Sequence, residues 1–321
     1  MERNADILVI GGGMAGLAAA RALQAGGARV IVIDKGRGPG GRMATRRVEV
    51  AGKQLRFDHG AQYFTARDPA FRALVGAWEA AGVAARWPAA GDEAWVGTPG
   101  MNACLRAMAA GLEVRWGLRA EAVARVDARW QVVAGGESFA APTLLVAIPA
   151  EQAAVLLAGA APALAARAAS VTSAPCWAVM ALFAAPLPLP DIFRAEQGPI
   201  AWAARNGAKP GREGAETWVI HASPARTRAL LHLPKDEVAA ALLADFFAVT
   251  GIAPIQPVHC DAHRWLYALP EASAGEGAIF DAALRIGIAG DWLHSPRVEG
   301  AWLSGHRLAA LAGAEARALP A

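Results

Sequence analysis

DILVIGGGMAGLAAARALQAGGARVIVID, residues 6–34, decides the fold. Asp6 to Ile10 is a short apolar run, as expected of a strand buried on both faces of a parallel sheet. GGGMAG (11–16) follows, then LAAARALQAGG, whose apolar spacing is helical and whose closing glycines are a stop signal. RVIVID (29–34) reads as a second buried strand. Gly11, Gly13 and Gly16 hold the G-x-G-x-x-G positions between strand and helix. Such glycines let backbone approach a pyrophosphate, and the helix N-terminus offers it unpaired N–H groups. Asp34 ends the second strand, where a carboxylate can bind ribose hydroxyls. Alone, the glycine motif is a common turn; with both strands and Asp34 it reads as nucleotide binding. This unit does not separate NAD from FAD.

Outward from it, LEVRWGLRA (112–120), EAVARVD (121–127), RWQVVAGG (129–136) and TLLVAIP (143–149) look like a β-meander returning to a buried parallel strand. Gly135-Gly136 is its hairpin turn. Residues from about 150 to 280 carry more Trp and Pro with mixed signals. LRIGIAGD (284–291) then repeats the opening pattern, a buried strand closing on Gly-Asp, with a helix starting near Gly300. The expected fold is α/β: an FAD-binding Rossmann-type domain with an inserted α+β substrate domain on a mainly antiparallel sheet. The FAD-binding domain takes 1–65, 98–150 and 281–321, and the substrate domain 66–97 and 151–280.

Composition narrows the function classes. The 321 residues are 55% hydrophobic and 18% charged, with a net charge of +3, which suits a globular chain. There is no long basic run with interleaved aromatics, so nucleic acid is not an expected partner. Cys104, Cys176 and Cys260 are odd in number and far apart, against a disulfide framework or a metal site, and a reducing cytoplasm fits. The run Ile7–Ala20 is expected to be a strand, a glycine turn and a helix and not a signal peptide, because Glu2 and Asp6 spoil its cationic start. Pro142, Pro149, Glu151 and Gln152 interrupt the alanine-rich tract that comes nearest to a membrane span, so no membrane segment is expected.

Later blocks point to flavin. After Asp34 comes KGRGPGGRMATRR (35–47), then FDHGAQYFT (57–65), and near the end GDWLHSPRVEGAWLSG (290–305). Gly40, Gly41 and Arg42 resemble the second phosphate-contacting segment of the monoamine-oxidase superfamily of flavoproteins. The late Gly290-Asp291 resembles that superfamily's second FAD motif, with Asp291 on the ribityl or phosphate end. Together with HRWLYALP (263–270), these blocks look like the bacterial renalases over nearly the whole chain. The resemblance implies an FAD enzyme that oxidises dihydronicotinamide dinucleotides reduced at the 2 or 6 position to NAD(P)⁺. Oxygen then reoxidises the flavin and gives hydrogen peroxide.

The cofactor set expected on this basis is Gly11, Gly13, Met14, Ala15, Gly16, Asp34, Lys35, Arg37, Gly40, Gly41, Arg42, Met43, Gly60, Ala61, Gln62, Gly290, Asp291, Gly300, Ala301 and Ser304. Gly300 and Ala301, at a helix start, are read as N–H donors to the flavin N1/O2 locus. FAD is expected to be noncovalent, since the C-terminal block holds no cysteine and His294 is a solitary loop histidine. Substrate-lining candidates are Gln62, Tyr63, Trp202, Arg205, His221, Arg264, Trp265 and Tyr267: aromatic faces to stack a ring, arginines to pair with pyrophosphate. Ordinary core packing explains many such residues equally well, and His221 reads either as a core histidine or as a contact. No residue is assigned as an acid or base, because hydride transfer that aromatises the nicotinamide needs none, and flavin N5 is the acceptor. No metal site is expected. A flavin amine oxidase acting on a small amine remains an alternative. That class typically shows a lysine beside N5, which Lys35, Lys53, Lys209 and Lys235 do not supply recognisably. A non-catalytic flavin- or NAD-binding redox sensor is a third reading.

Overall fold

A computed structural model describes residues 2–212, 214–272 and 275–317. Its centre is a six-stranded sheet in the order 278–281, 286–289, 143–146, 7–10, 30–34, 113–116. All neighbours are parallel except the antiparallel edge pair 278–281 with 286–289. Strands Ile7–Ile10, Thr143–Val146 and Ile286–Ala289 are buried at every position, as the continuous apolar runs require. Helix Met14–Ala25 packs with the long helix Val298–Arg317 on one side of this sheet. They approach closely enough that a Cβ on Gly305 would strike the carbonyl oxygen of Ala15.

A smaller sheet orders Glu2–Asn4, Glu137–Ala141, Arg129–Ala134 and Ala120–Val126. Gly135 and Gly136, with φ of +56° and +77°, make its tight hairpin turn, as the sequence indicates. Glu113–Trp116 is not part of this meander. It pairs in parallel with Val30–Asp34 at the edge of the central sheet. Alternating LEVRW reads the same way in either setting, so only tertiary pairing separates them.

The third unit is a five-stranded antiparallel sheet in the order 192–194, 200–205, 216–222, 173–183, 259–270. Its outer face buries Trp218, Ile220, Val179 and Phe183 against helix Lys235–Thr250. Its inner face looks toward the segment 57–63. The 66–97 stretch supplies helix Pro69–Ala80 and a short hairpin, 84–86 with 95–97. Phe71, Val75 and Trp78 of that stretch share one core with Leu17, Ala18 and Trp302. No helix among the described residues is long and apolar enough to cross a membrane.

Candidate functional site

The first glycine turn is shaped by exclusion. Gly11 has φ +108°, and a Cβ there would collide with the Ala147 carbonyl oxygen. A Cβ on Gly16 would overlap the Gly11 carbonyl oxygen, so both are glycine for close backbone packing. Gly13 differs: a Cβ there meets nothing within 4 Å. Gly41, with φ +48°, lies opposite, and a Cβ built on it meets only the Gly13 Cα, at 3.6 Å. The two glycine segments therefore lie side by side at a helix N-terminus and form a backbone-lined cradle, open where a Gly13 side chain would stand. That is the donor set a dinucleotide pyrophosphate requires, and FAD fits it.

Asp34 sits beside this turn and accepts from the N–H groups of Gly12 and Gly36, each at 2.6 Å. Burial raises its carboxyl above the ordinary range, against the lowering effect of those two N–H groups and of Lys35. Met14 is buried at the start of the first helix and Met43 in the core, so both support the cradle from behind. Lys35 is exposed and donates to Gln152 Oε1 at 3.0 Å, and Arg37 is exposed.

The chain's late block meets the same cradle. Arg42 pairs with the buried Asp291 at 2.6 Å. The Arg42 carbonyl accepts from Ala61 N at 2.8 Å, which lays the Gly60–Gln62 turn directly on the Gly40–Arg42 turn. A Cβ on Gly60 would strike that carbonyl. Two expectations need correction here. Ser304 is fully buried, with its hydroxyl spent between Gly290 N and the Gly277 carbonyl, so it fixes the Gly290 backbone and does not reach a ligand. Ala301 N bonds to Arg297 O at 3.0 Å, because the helix starts at Val298, earlier than expected. Gly300 stays in the first turn, where N–H groups lack an intrahelical acceptor.

The inner face of the five-stranded sheet carries one cross-strand row: Arg194, Trp202, His221, Ala178, His263. Against it rest His59 and Trp265, stacked 5.1 Å apart, with His263 edge-on to both. Trp265 Nε1 donates to His59 O at 2.8 Å. Tyr63 packs on Trp202 at 5.6 Å. Tyr267 is half-buried in the irregular stretch after Trp265, next to Ala268, whose carbonyl faces Arg42. Burial drives the His59 imidazole down to about 3 and the His221 imidazole down to about 4, and nearby cations add to both. Both rings are neutral at physiological pH.

Behind this wall lies a charge cluster that sequence reasoning missed. Asp58, fully buried, accepts from Thr45 Oγ1 at 2.7 Å, Met101 N at 2.9 Å and Arg212 Nε at 2.9 Å. Lys209, also fully buried, lies 3.5 Å from Asp58 and donates to Gln62 Oε1 at 3.1 Å. Burial alone would raise the Asp58 carboxyl, but Lys209 and Arg212 hold it below the ordinary range. Burial also lowers the Lys209 ammonium to about 8, only partly opposed by Asp58. With its oxygen held by Lys209, the Gln62 amide turns its nitrogen to the Asp58 and Gly60 carbonyls, 3.4 Å from His221 Nε2. One carboxylate thus serves two cations, and Gln62 links them to the wall.

Arg205 and Arg264 do not belong to this site. Arg205 is in register with Trp218 on the opposite face and is consumed by Asp191, Glu216 and the Leu187 and Leu189 carbonyls. Arg264 alternates with Trp265, so it points away, over Trp177, and donates to Leu231 O at 3.2 Å.

The fold is shared with known proteins. Residues 9–78 match a model of the NAD(P)-binding Rossmann-like domain. Residues 88–312 match a model of flavin containing amine oxidoreductases. Among solved structures, the fold is shared with a protein from Exiguobacterium sp. 255-15 described as a protoporphyrinogen oxidase. The identity is 14%, with 99% of each chain covered and a TM-score of 0.75. Putrescine oxidase bound to putrescine matches at 15% identity, covering 98% of this chain and 100% of its own, with a TM-score of 0.71. Cyclohexylamine oxidase from Brevibacterium oxydans IH-35A matches at 14%, covering 98% and 99%, with a TM-score of 0.66. This chain belongs to the flavin-containing amine oxidoreductase family and is an FAD-dependent oxidoreductase.

Proposed function

We propose that this enzyme is renalase-like: it oxidises the 2- and 6-dihydro isomers of NAD(P) to NAD(P)⁺, with oxygen as final acceptor and hydrogen peroxide as product. The observation that carries this reading is the charge of the wall. Its row bears no carboxylate and no lysine, and the cationic groups Arg194 and Arg46 stand on or beside it. Asp58 is enclosed by four partners and Asp261 is paired with Lys235. A small amine binds as an ammonium ion and needs a free carboxylate or an open aromatic cage. A dinucleotide needs cations for its pyrophosphate and flat apolar faces for its rings.

When bound, the flavin supplies the hydride acceptor. The chain's own residues hold the donor ring in place and exclude water. Trp202, Trp265 and Tyr63 offer faces for the nicotinamide, and Gln62, its amide N–H groups held by the Asp58 and Gly60 carbonyls, fixes the turn beside them. His59 and His221 stay neutral and need not take a proton, because losing hydride already makes the nicotinamide aromatic.

Anaerobic mixing of the purified enzyme with these isomers, ordinary 4-dihydro NADH and a panel of amines is the test. The 2- and 6-dihydro isomers are expected to bleach the flavin quickly and NADH poorly, its donor carbon being displaced in the same pose. A second reading, oxidation of a small amine, is favoured by the family itself and by Lys209, a buried lysine lowered to about 8 one hydrogen bond from Gln62. Rapid bleaching by a primary amine, with no response to the isomers, would establish it in place of ours.

A further inference from the structure

The cross-strand row ends on one of the two cations that the reading above counts, Arg194. Arg194 lies on the edge strand Ile192–Arg194, in register with Trp202, which is in register with His221. Its guanidinium rests 4.6 Å over the Trp202 ring and 5.6 Å from the Tyr63 ring, and Nη2 donates to Ala90 O at 2.9 Å. Two aromatic faces and one carbonyl thus hold an exposed arginine in a fixed plane. Among the described residues it joins no ion pair, whereas Arg205, eleven residues on, is surrounded by acceptors. Pre-ordering an arginine fork removes much of the entropy that a flexible side chain loses on binding a phosphate.

Position adds to this. Arg194 and His221 are two strands apart in one row, so their backbones are separated by about 10 Å. That is the scale of a nicotinamide riboside, the part of a dinucleotide between its reacting ring and its pyrophosphate. The row therefore offers a neutral, aromatic end at His221 and Trp202 and a cationic end at Arg194, and a dinucleotide has the same order of parts.

We infer that Arg194, clamped on Trp202 and Tyr63, is the group that binds the substrate's pyrophosphate, a specificity determinant selecting phosphorylated dihydronicotinamides over the bare riboside or a simple amine. The inference rests on the dinucleotide reading above for the identity of the ligand. Arg194 touches neither the cradle nor the buried Asp58 cluster, so removing it leaves both intact.

A matched control is built into the chain. Arg86 lies 4.0 Å over Trp95 and donates to Asp92 O, the same kind of cation–aromatic stack, but outside the row. The holoenzyme should be titrated calorimetrically with ADP-ribose, which carries the pyrophosphate and cannot react. Arg194→Ala is expected to weaken ADP-ribose binding about five- to tenfold, below the full value of a buried charged hydrogen bond because the site is open to water. Arg194→Lys should recover part of the loss and Arg86→Ala none of it, its affinity matching wild type. In anaerobic reduction, Arg194→Ala should raise the concentration of dihydro-dinucleotide needed for half-maximal rate while leaving the limiting rate within about twofold. The dihydronicotinamide riboside, without phosphate, should reduce wild type and variant alike.

Equal ADP-ribose affinity in wild type and Arg194→Ala, an equal loss in Arg86→Ala, or no ADP-ribose binding at all would overturn the assignment. So would a riboside reaction slowed as much as that of the dinucleotide. If no isomer bleaches the flavin but ADP-ribose still binds through Arg194, the anchor stands and the dihydro-isomer chemistry falls.

Discussion

The nucleotide cradle and the wall above it are built by opposite means. In the cradle, backbone lines the surface and side chains are excluded: Gly13 and Gly41 lie side by side with open space where a Gly13 side chain would stand, and Gly11 and Gly16 are packed too tightly for a Cβ. In the wall and the cluster behind it, side chains do everything, and the decisive ones, in the cluster, are fully buried: Asp58, Lys209 and, nearly so, Arg212. The cradle is open to a ligand that brings its own charge. The cluster is closed and must balance charge internally, which it does with two cations on one carboxylate. Damage to each region should therefore register differently, as ligand affinity in the cradle and as folding stability in the cluster.

The harshest way to break this contrast is Asp58→Asn. It leaves Lys209 and Arg212 buried without a counter-charge, and removing one partner of a buried ion pair costs about 3–5 kcal/mol. Urea unfolding at saturating FAD should show a loss of that size. A variant as stable as wild type would mean the cluster is wetter and less consequential than its burial indicates.

Acid should attack the wall before the cradle. His59 and His221 hold folded pKa values of about 3 and about 4, against 6.5 for an ordinary histidine. Between about pH 6.5 and 4 the unfolded chain binds protons that the folded chain refuses, so stability rises with pH there and is lost as pH falls. Each histidine contributes a slope of up to about 1.4 kcal/mol per pH unit in that window. Asp58 acts lower: its folded carboxyl lies below the ordinary 3.8, so its contribution persists above that value and is lost only beneath it. Urea midpoints across pH 3–7 in wild type and His59→Gln separate the windows; an unchanged slope in the variant would remove His59 from the account.

Two glycines sharpen the contrast further. Gly16→Ala forces a Cβ onto the Gly11 carbonyl oxygen and should cost the apoprotein about 1–3 kcal/mol, the range for overpacking. Gly13→Ala meets no protein atom within 4 Å, so the apoprotein should melt as wild type does while FAD affinity drops. Asp34→Ala combines both classes: the Gly12 and Gly36 N–H groups lose their acceptor, so the apoprotein should melt lower, and FAD affinity should fall about ten- to a hundredfold from one charge-assisted bond. Equal apoprotein melting and equal FAD loss in both glycine variants would mean that the two positions share one role.

These differences explain what was legible in the sequence. Gly11, Gly13, Gly16 and Asp34 are contiguous, and their meaning is written in backbone requirements that a strand–turn–helix spacing exposes. The cluster gathers Thr45, Asp58, Gln62, Met101, Lys209 and Arg212, contributed by segments up to 167 positions apart. Lys209, in the polar stretch NGAKPGRE, looks like a solvated loop lysine, and nothing local marks it as buried. The one available signal was the scarcity of lysine, with four in the chain. Arg205 and Arg264 were misplaced for a simpler reason. Arg264 lies one residue from His263 and Arg205 three from Trp202, odd offsets that a period of two sends to the opposite face. Ser304 was misread because a serine near a glycine motif suggests a ligand contact, whereas its burial ties helix to strand.

The smallest expected effect is also the most discriminating within the cluster. Lys209→Met removes the weaker of the two cations: its Nζ is 3.5 Å from Asp58, while Arg212 Nη2 is at 2.7 Å. Asp58 keeps Arg212, Thr45 and Met101 N, and a methionine fills most of the lysine's volume beside Trp87. Replacing a buried ion with an apolar isostere is often neutral, so stability should change by less than about 1 kcal/mol, in contrast to the several lost in Asp58→Asn. What should change is orientation. The Gln62 oxygen loses its donor, and only the bonds of its nitrogen to the Asp58 and Gly60 carbonyls then hold the side chain. Substrate binding should then weaken severalfold at unchanged unfolding midpoint. A loss of stability as large as that of Asp58→Asn would show that Lys209 holds the fold together. A limiting rate of flavin reduction that collapses by more than about 10⁴-fold at unchanged affinity would show instead that it takes part in the chemistry.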